Sequence, residues 1–351
     1  MEAIRNTPAN STQDAQPISA HEAQPISTHK AQPISAHKAQ PISASRAKPI
    51  WRSILFVPAS SPRFIESAIR QAADVLQIDL EDSVSPADKP SARLAVPKIA
   101  HGFTQAGKEV IVRVNRPWRL LLRDLEASVC EAVSAISLPK VPDAGFIKSV
   151  AEVLSELEFE RGLVQGHTRL IAMIEDPEGL HHIDAIAQSH ERMLGLIVGA
   201  EDLAVSMGMA VNEDSLFTPN IMALMAARRA GLIPLGFIGS VADYNDQNAF
   251  RKRIERARTL GFEGAFCVHP SQVAIINEGF APQPDEVEHA SGLVLAFEEA
   301  QAQRKAAFAF KGRMVDLPVV EQARRLLAKH EKLKQLERSR VAQFSSFPDK
   351  P

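Results

Sequence analysis

Cysteine is nearly absent from this sequence of 351 residues. Only Cys130 and Cys267 occur, far apart and outside any CxxC or Cys/His spacing, which excludes a disulfide framework and a structural zinc site and predicts a reducing, cytoplasmic setting. A charge excess of either sign is missing too. With 40 Lys and Arg against 42 Asp and Glu, the formal net charge is -2, so there is no broad basic surface for nucleic acid or an anionic membrane. No run approaches the roughly 18 to 20 apolar residues that span a bilayer. The N-terminus also lacks a basic segment followed by an apolar core, so neither secretion nor membrane insertion is expected. Aromatics make up only 5% of the chain, which leaves the core to Ala, Leu, Ile and Val. At 45% hydrophobic and 23% charged residues the composition is otherwise that of an ordinary globular protein.

An octapeptide repeat occupies residues 15 to 50: AQPISAHE, AQPISTHK, AQPISAHK, AQPISASR, then AKPI. The proline in each copy removes a backbone donor, and one isoleucine per copy buries too little surface to offset chain entropy. Residues 1–49 therefore read as a disordered tail. Its histidines His21, His29 and His37 sit eight apart and read as part of a bland linker in place of a metal site.

From Trp51 onward short β-like apolar runs alternate with amphipathic stretches. The runs are SILFVP (53–58), VLQIDL (75–80), EVIVRV (109–114), AISLP (135–139), RLIAMI (169–174), LGLIVG (194–199), IPLGFI (233–238) and GAFCV (264–268). Most are followed by helical periodicity, the βαβα pattern of a parallel sheet. Eight such units over roughly 230 residues predict an α/β fold, a (β/α)8 TIM barrel, over 50–283. A C-terminal extension over 284–340 reads as two long helices joined by a glycine-containing turn that ends in Asp316, and 341–351 reads as a frayed tail.

Asp79, Glu81, Asp82, Arg113, Lys140, Glu175, Glu201, Asp202 and His269 all fall at or just past the C-terminal end of a predicted strand, where a barrel assembles its catalytic groups. Glu175 and Asp202 end two different runs. On neighbouring strands their carboxylates would share a mouth and leave most of an octahedral shell open, which is how Mg2+ is usually held; without His or Cys beside them, zinc and softer metals are disfavoured. Equally ordinary roles exist: a helix N-terminal charge ahead of Pro177 for Glu175 and an N-cap for Asp202. Arg113, flanked by valines on a buried strand, needs either an ion pair with Asp79, Glu81 and Asp82 or an anionic ligand. The Cys267/His269 pair lacks a third, orienting group and is not read as a nucleophile. No GxGxxG, GxxxxGK[ST] or GxSxG motif follows a strand.

Taken in order, RSILFVPAS at Arg52, DLEDSVSPADKPSAR at Asp79 to Arg93, VRVN at Arg113, LPKV at Lys140, IEDPEG at Glu175, GAEDLAVSMG at Asp202, LGFEGAFCVHPSQVAIINEGFAP and KGRMVDLP at Asp316 resemble the citrate lyase β-subunit-like branch of the HpcH/HpaI aldolases. That branch includes malyl-CoA and citramalyl-CoA lyases, and the resemblance runs from residue 52 to about 330. It implies a modified (β/α)8 barrel with Mg2+ on Glu175 and Asp202. The implied activity is lyase or condensing chemistry between a CoA thioester and a 2-oxo acid. Arg113 would bind and polarise the oxo acid, and Asp316 would be the acid/base at the acyl α-carbon, delivered by a neighbouring subunit of a homotrimer or hexamer. From the residues alone, Asp316 before Pro318 is equally a helix start.

Glu81 and Asp82 are expected to support the metal water or Arg113. Arg52, Lys89 and Arg93 are candidate partners for CoA phosphates. The alternatives are a malyl-CoA-type thioesterase, a citrate lyase β-like component dependent on an acyl carrier partner, and a non-catalytic scaffold. Two positions depart from the family pattern. Asp176 follows Glu175 where many members carry Ser or Thr, and Gly236 stands where some citrate lyase subunits place an aspartate.

Overall fold

Each of the eight apolar runs contributes a strand to one sheet. The computed structural model describes residues 48–302 and 308–345. In chain order the elements are β1 (Ser53–Pro58), α1 (Pro62–Ile69), β2 (Val75–Asp79), α2 (Lys89–Gln105), β3 (Glu109–Arg113), α3 (Trp118–Ser128), β4 (Ala135–Leu138) and α4 (Ala144–Glu160). There follow β5 (Arg169–Ile174), α5 (Pro177–His181), α6 (Ile183–Ala187), β6 (Met193–Val198), α7 (Ala200–Met207), α8 (Glu213–Ala230), β7 (Ile233–Pro234), α9 (Gln247–Leu260), β8 (Ala265–Cys267) and α10 (Pro270–Phe280). The C-terminal part holds α11 (Pro284–Ala302), β9 (Phe308–Phe310), β10 (Arg313–Val315) and α12 (Leu317–Ser345). Of the two expected tails, residues 1–47 and 346–351 lie outside the described residues, and α12 runs past 340 to Ser345.

The strands pair in parallel in the order β7-β6-β5-β4-β3-β2-β1-β8. Closure comes from a parallel bridge between Leu235 and Gly264, with Gly236 N donating to Gly264 O at 2.8 Å and Glu263 N to Pro234 O at 3.0 Å. Gly264 is required there, since a Cβ would lie 1.8 Å from Trp51 O. The sequence predicted β7 over 233–238, whereas only Ile233–Pro234 are strand. Pro234 has no N–H for the ladder and Gly236, at φ 127°, turns the chain out of β geometry.

Two apolar layers follow from the period-2 alternation. Ile54, Val75, Ile111, Ala135, Ile171, Met173, Ile197 and Phe266 fill the barrel interior, while Leu55, Leu76, Val110, Val112, Leu170 and Leu196 pack outward against the helices. Each fully buried aliphatic side chain contributes about 1.5–3 kcal/mol. The α11/α12 hairpin has its own small core of Leu293, Phe297, Val315 and Val320. The glycine-containing turn between those helices is a β-hairpin, with Lys311 and Gly312 at φ 45° and 77°. Among the described residues no helix is long and apolar enough to cross a membrane.

Candidate active site

Strand parity decides which side chains reach the mouth at the C-terminal ends of the strands. Ile171 and Met173 face the barrel interior, so Glu175, the residue just past β5, continues that row to the rim. Val75 and Ile111 begin the rows that end in Asp79 and Arg113, which are partners in the β2–β3 ladder.

Arg113 is fixed from several directions. Its Nε and Nη2 donate to the two oxygens of Asp79 at 2.7 and 2.8 Å. Nη1 meets Glu81 Oε2 at 2.8 Å and Asp82 Oδ2 at 3.3 Å, and the Phe56 ring lies 4.8 Å from the guanidinium carbon. Asp79 in turn accepts from Glu81 N at 3.1 Å and Ser83 Oγ at 2.5 Å. Burial alone would raise the Asp79 carboxyl, but Arg113, Ser83 and the Glu81 amide hold it below the usual range. Burial likewise opposes the Arg113 cation, which Asp79, Glu81 and Asp82 nevertheless keep charged, above the usual arginine range. Glu81 fares differently. Burial, with the charges of Asp82, Glu175 and Asp79, outweighs its pairing with Arg113 and pushes it up to about 8.

Across the mouth stand Glu175 and Asp202, joined by Lys140. Glu175 is 3% exposed, and its Oε2 accepts from Lys140 N at 2.8 Å. Asp202, in the first turn of α7, takes Lys140 Nζ at 3.0 Å. Burial, reinforced by the charge of Asp202, pushes Glu175 up to about 7 despite its contact with the Lys140 amide. Lys140 adopts φ 49°, a left-handed conformation costly for a residue with a Cβ. Three contacts hold it there: its N–H on Glu175, its ammonium on Asp202, and its carbonyl accepting from Arg116 Nε at 3.0 Å.

The ordinary roles proposed for the two carboxylates belong to other residues. Asp176 caps α5, its Oδ1 accepting from Gly179 N at 2.7 Å, and Gly199 is the N-cap residue of α7. Asp176 therefore serves as the capping oxygen and turns its side chain to the α5 backbone.

Arg113, Asp79, Asp82, Glu175, Glu201 and Asp202 line one cavity of about 460 Å³, with an apolar side formed by Phe56, Met173, Phe237 and Phe266. Glu201 accepts from Ser240 Oγ. The donor set suits a hard divalent cation: two carboxylate groups, one of them destabilised as an anion by burial and by the other, beside a lysine that already supplies positive charge. Gly199 supports the fit, because a Cβ there would fall 2.4 Å from Glu175 Oε1. Among the described residues no group of three or more His, Cys, Asp or Glu forms a fuller metal cluster.

Other predicted residues are not brought to the mouth. Arg52 is buried at the opposite end of β1, where its Nε and Nη2 donate to Asp74 at 2.9 and 3.0 Å and its Nη1 meets Glu337 at 3.3 Å. That bidentate pair leaves Arg52 a structural role in place of a CoA-phosphate contact. Lys89 Nζ donates to the Leu80 and Glu81 carbonyls at 2.9 and 2.7 Å, fixing the loop that carries Glu81 and Asp82. Arg93 pairs with Asp124 at 2.7 Å, and Asp124 in turn holds Asn115 of the VRVN segment. His269 caps α10 and stacks on Tyr244, while Cys267 is fully buried and its thiol is pushed up by burial. Asp316 is exposed, stands between β10 and α12, and does not line the cavity. The sequence reading missed Phe56 and Gly199. Parity from Ile54 locates the first, but no local signal marks the second.

Residues 52–270 match the family described as HpcH/HpaI aldolase/citrate lyase. The chain is 32% identical over 306 residues to the L-malyl-CoA/beta-methylmalyl-CoA lyase of Rhodobacter capsulatus, covering 81% of this chain and 95% of that protein. It is 31% identical over 280 residues to the citrate lyase subunit beta of Leuconostoc mesenteroides subsp. cremoris, covering 79% and 92% respectively. Among solved structures, it is similar to protein CitE of Mycobacterium tuberculosis in complex with magnesium, acetoacetate and coenzyme A, with a TM-score of 0.62, 27% identity, and coverage of 80% of this chain and 97% of that one.

Proposed function

The chain belongs to the HpcH/HpaI aldolase/citrate lyase family and is an enzyme of the lyase class; from this premise we propose that it is a Mg2+-dependent carbon–carbon lyase for a 3-hydroxyacyl-CoA. Cleavage of a substrate such as malyl-CoA or citramalyl-CoA gives an acyl-CoA and a 2-oxo acid, and the reverse reaction is a condensation. One observation carries the reading: a charged arginine locked by Asp79 shares a cavity of about 460 Å³ with two carboxylates, one of which is destabilised as an anion. Magnesium-bound CitE and the malyl-CoA lyases supply the substrate and metal classes by similarity.

Glu175 and Asp202 would hold the cation, and Lys140 would give up its contact with Asp202 as the cation enters. The ion supplies Lewis-acid withdrawal of charge from the oxygens of the oxo acid. Arg113 presents a guanidinium whose plane is set by Asp79, so the oxo-acid carboxylate meets a donor already oriented, with no reorganisation at the moment of reaction. Asp82 is the exposed member of the Arg113 cluster and the partner most readily exchanged for that carboxylate. The apolar wall of Phe56, Phe237 and Phe266 keeps water from the carbanionic fragment.

Cleavage takes one proton off the substrate 3-hydroxyl as the new carbonyl forms and returns one to the α-carbon of the acyl fragment. The returning proton needs an acid, and Asp316 is our candidate, supplied by a second copy of the chain in a homotrimer or hexamer. Its setting supports this. Asp316 is exposed, and Met314 and Leu317 beside it are 81% and 52% exposed, apolar surface suited to a subunit contact. Gly236 favours malyl-type over citrate-type chemistry, because its φ of 127° is one an aspartate rarely adopts.

The test is product analysis with purified protein, Mg2+, and malyl-CoA or citramalyl-CoA. Lyase chemistry yields an acyl-CoA and an oxo acid. Free CoA with an intact hydroxy diacid would instead make the protein a thioesterase, and no turnover of free CoA esters would point to dependence on an acyl carrier.

A further inference from the structure

We propose a second ligand site, specific for a compact multivalent anion, in the cavity between the N-terminal end of the barrel and α12. The cavity measures about 610 Å³ and lies at the end of the barrel opposite the mouth. Its floor is Trp51, just before β1, and residues 261–263, just before β8. Its other wall is one face of α12, where Gln322, Arg325, Leu326, Lys329 and Lys332 recur at helical spacing.

Charge identifies the ligand class. Six cationic side chains line the cavity: Lys48, Arg228, Arg258, Arg325, Lys329 and Lys332. Against them stand Glu263 and Glu286, and both are already paired. Glu263 is held by Arg228, and both oxygens of Glu286 accept from Arg258 Nη1 at 2.7 Å. The carboxylates therefore leave an excess of positive charge facing the cavity. Arg258 Nε is buried with no hydrogen-bond partner, and the half-buried Lys329 lines the same cavity. Burial, together with Arg52, Arg228 and Arg258, holds Lys329 below the usual lysine range against the attraction of Glu263 and Glu286.

Cations crowded into a half-enclosed space repel one another, and a single bound anion turns that repulsion into attraction on every side. The unused donor on Arg258 and the ammonium of Lys329, with Lys332 at the rim, suit an anion of several oxygens: an oligophosphate, free or as part of a nucleotide, or a small polycarboxylate. Because one wall is α12 and the other is the barrel, occupancy clamps the C-terminal helix to the barrel floor.

Two probes distinguish the sources, sodium tripolyphosphate and tricarballylate, titrated at 0.15 M salt into full-length Trp118→Phe protein so that Trp51, the other of the chain's two tryptophans, reports alone. Binding of at least one probe is expected with a dissociation constant below about 1 mM, with a change in Trp51 emission and a rise in Tm. The tighter probe names the class. Lys329→Met, and independently Lys332→Gln should the first variant fold poorly, weaken binding about tenfold or more, the scale of one charge-assisted hydrogen bond. Lys334→Met, on the same helix but outside the cavity and beside Glu331, leaves it unchanged, as does Arg113→Met at the mouth. Failure of both probes to bind, equal weakening by Lys334→Met and Lys329→Met, or loss of binding in Arg113→Met would overturn the proposal.

Discussion

The affinity for Mg2+ is expected to follow the titration of Glu175, at a pH where an ordinary glutamate no longer titrates. Burial and Asp202 push this carboxyl from 4.5 up to about 7, and a cation binds the ionised form only. Below pH 7 the apparent affinity therefore falls about tenfold per pH unit, reaching about 100-fold, or about 2.7 kcal/mol, at pH 5. An ordinary glutamate would lose almost nothing over the same interval. Isothermal titration of Mg2+ at constant ionic strength from pH 5 to 8.5, in two buffers of different ionisation enthalpy, measures both the slope and the protons released. About one proton per ion is expected at pH 5–6 and close to none above pH 8. A flat profile from pH 8 down to 5, with no proton release, would refute the assignment of Glu175 as ligand.

The same carboxyl sets a stability trend without metal. Because the folded state holds this proton more tightly than the unfolded chain, the contribution of Glu175 to stability is greatest below about pH 4.5 and declines as pH rises to about 7. At about 1.36 kcal/mol per pH unit the loss reaches about 3.4 kcal/mol. Glu175→Gln removes it, so the variant should be more stable than the parent at pH 8, equally stable near pH 4, and unable to bind Mg2+. Denaturant unfolding in chelator at both pH values checks this.

Gly199→Ala should displace Glu175 without touching its chemistry. The backbone φ of -82° tolerates alanine, yet the added Cβ lies 2.4 Å from Glu175 Oε1, so calorimetry should show Mg2+ binding weakened at least about tenfold while the fold persists. Arg192→Leu breaks a pair in which Arg192 and Glu158 are both fully buried, at 2.8 Å; a loss of about 3–5 kcal/mol is expected in urea unfolding, with Mg2+ affinity unchanged. Asp316→Asn should lower kcat by about 100-fold or more while sparing KM. Mixing Asp316→Asn subunits with inactive Arg113→Met subunits should restore part of the activity if each site draws Asp316 from another copy, and no recovery in verified mixed oligomers would return Asp316 to a capping role.

Much of this site was legible because a parallel barrel strand alternates strictly. Once Ile171 and Met173 are assigned to the interior, Glu175 must arrive at the rim, and Val75 and Ile111 do the same for Asp79 and Arg113. The two readings of Arg113, ion pair or ligand anchor, turn out to be compatible, since Asp79 fixes the guanidinium that a substrate would meet. Illegible were the features set by approach between distant segments. Arg52 and Lys89 carried the right charge for phosphate, but Asp74 lies 22 residues from Arg52 and the carbonyls of Leu80 and Glu81 close on Lys89 through the loop. The motif LPKV likewise gives no sign that Lys140 adopts a left-handed backbone, because that conformation exists only where Glu175, Asp202 and Arg116 all engage one residue. If Glu175 and Asp202 hold the cation as proposed, a strained lysine that contacts both carboxylates is what the site needs for the protein to fold before the ion arrives. Two facing carboxylates with no positive charge between them would repel during folding, and the left-handed turn places both the amide and the ammonium of one residue where they offset that repulsion.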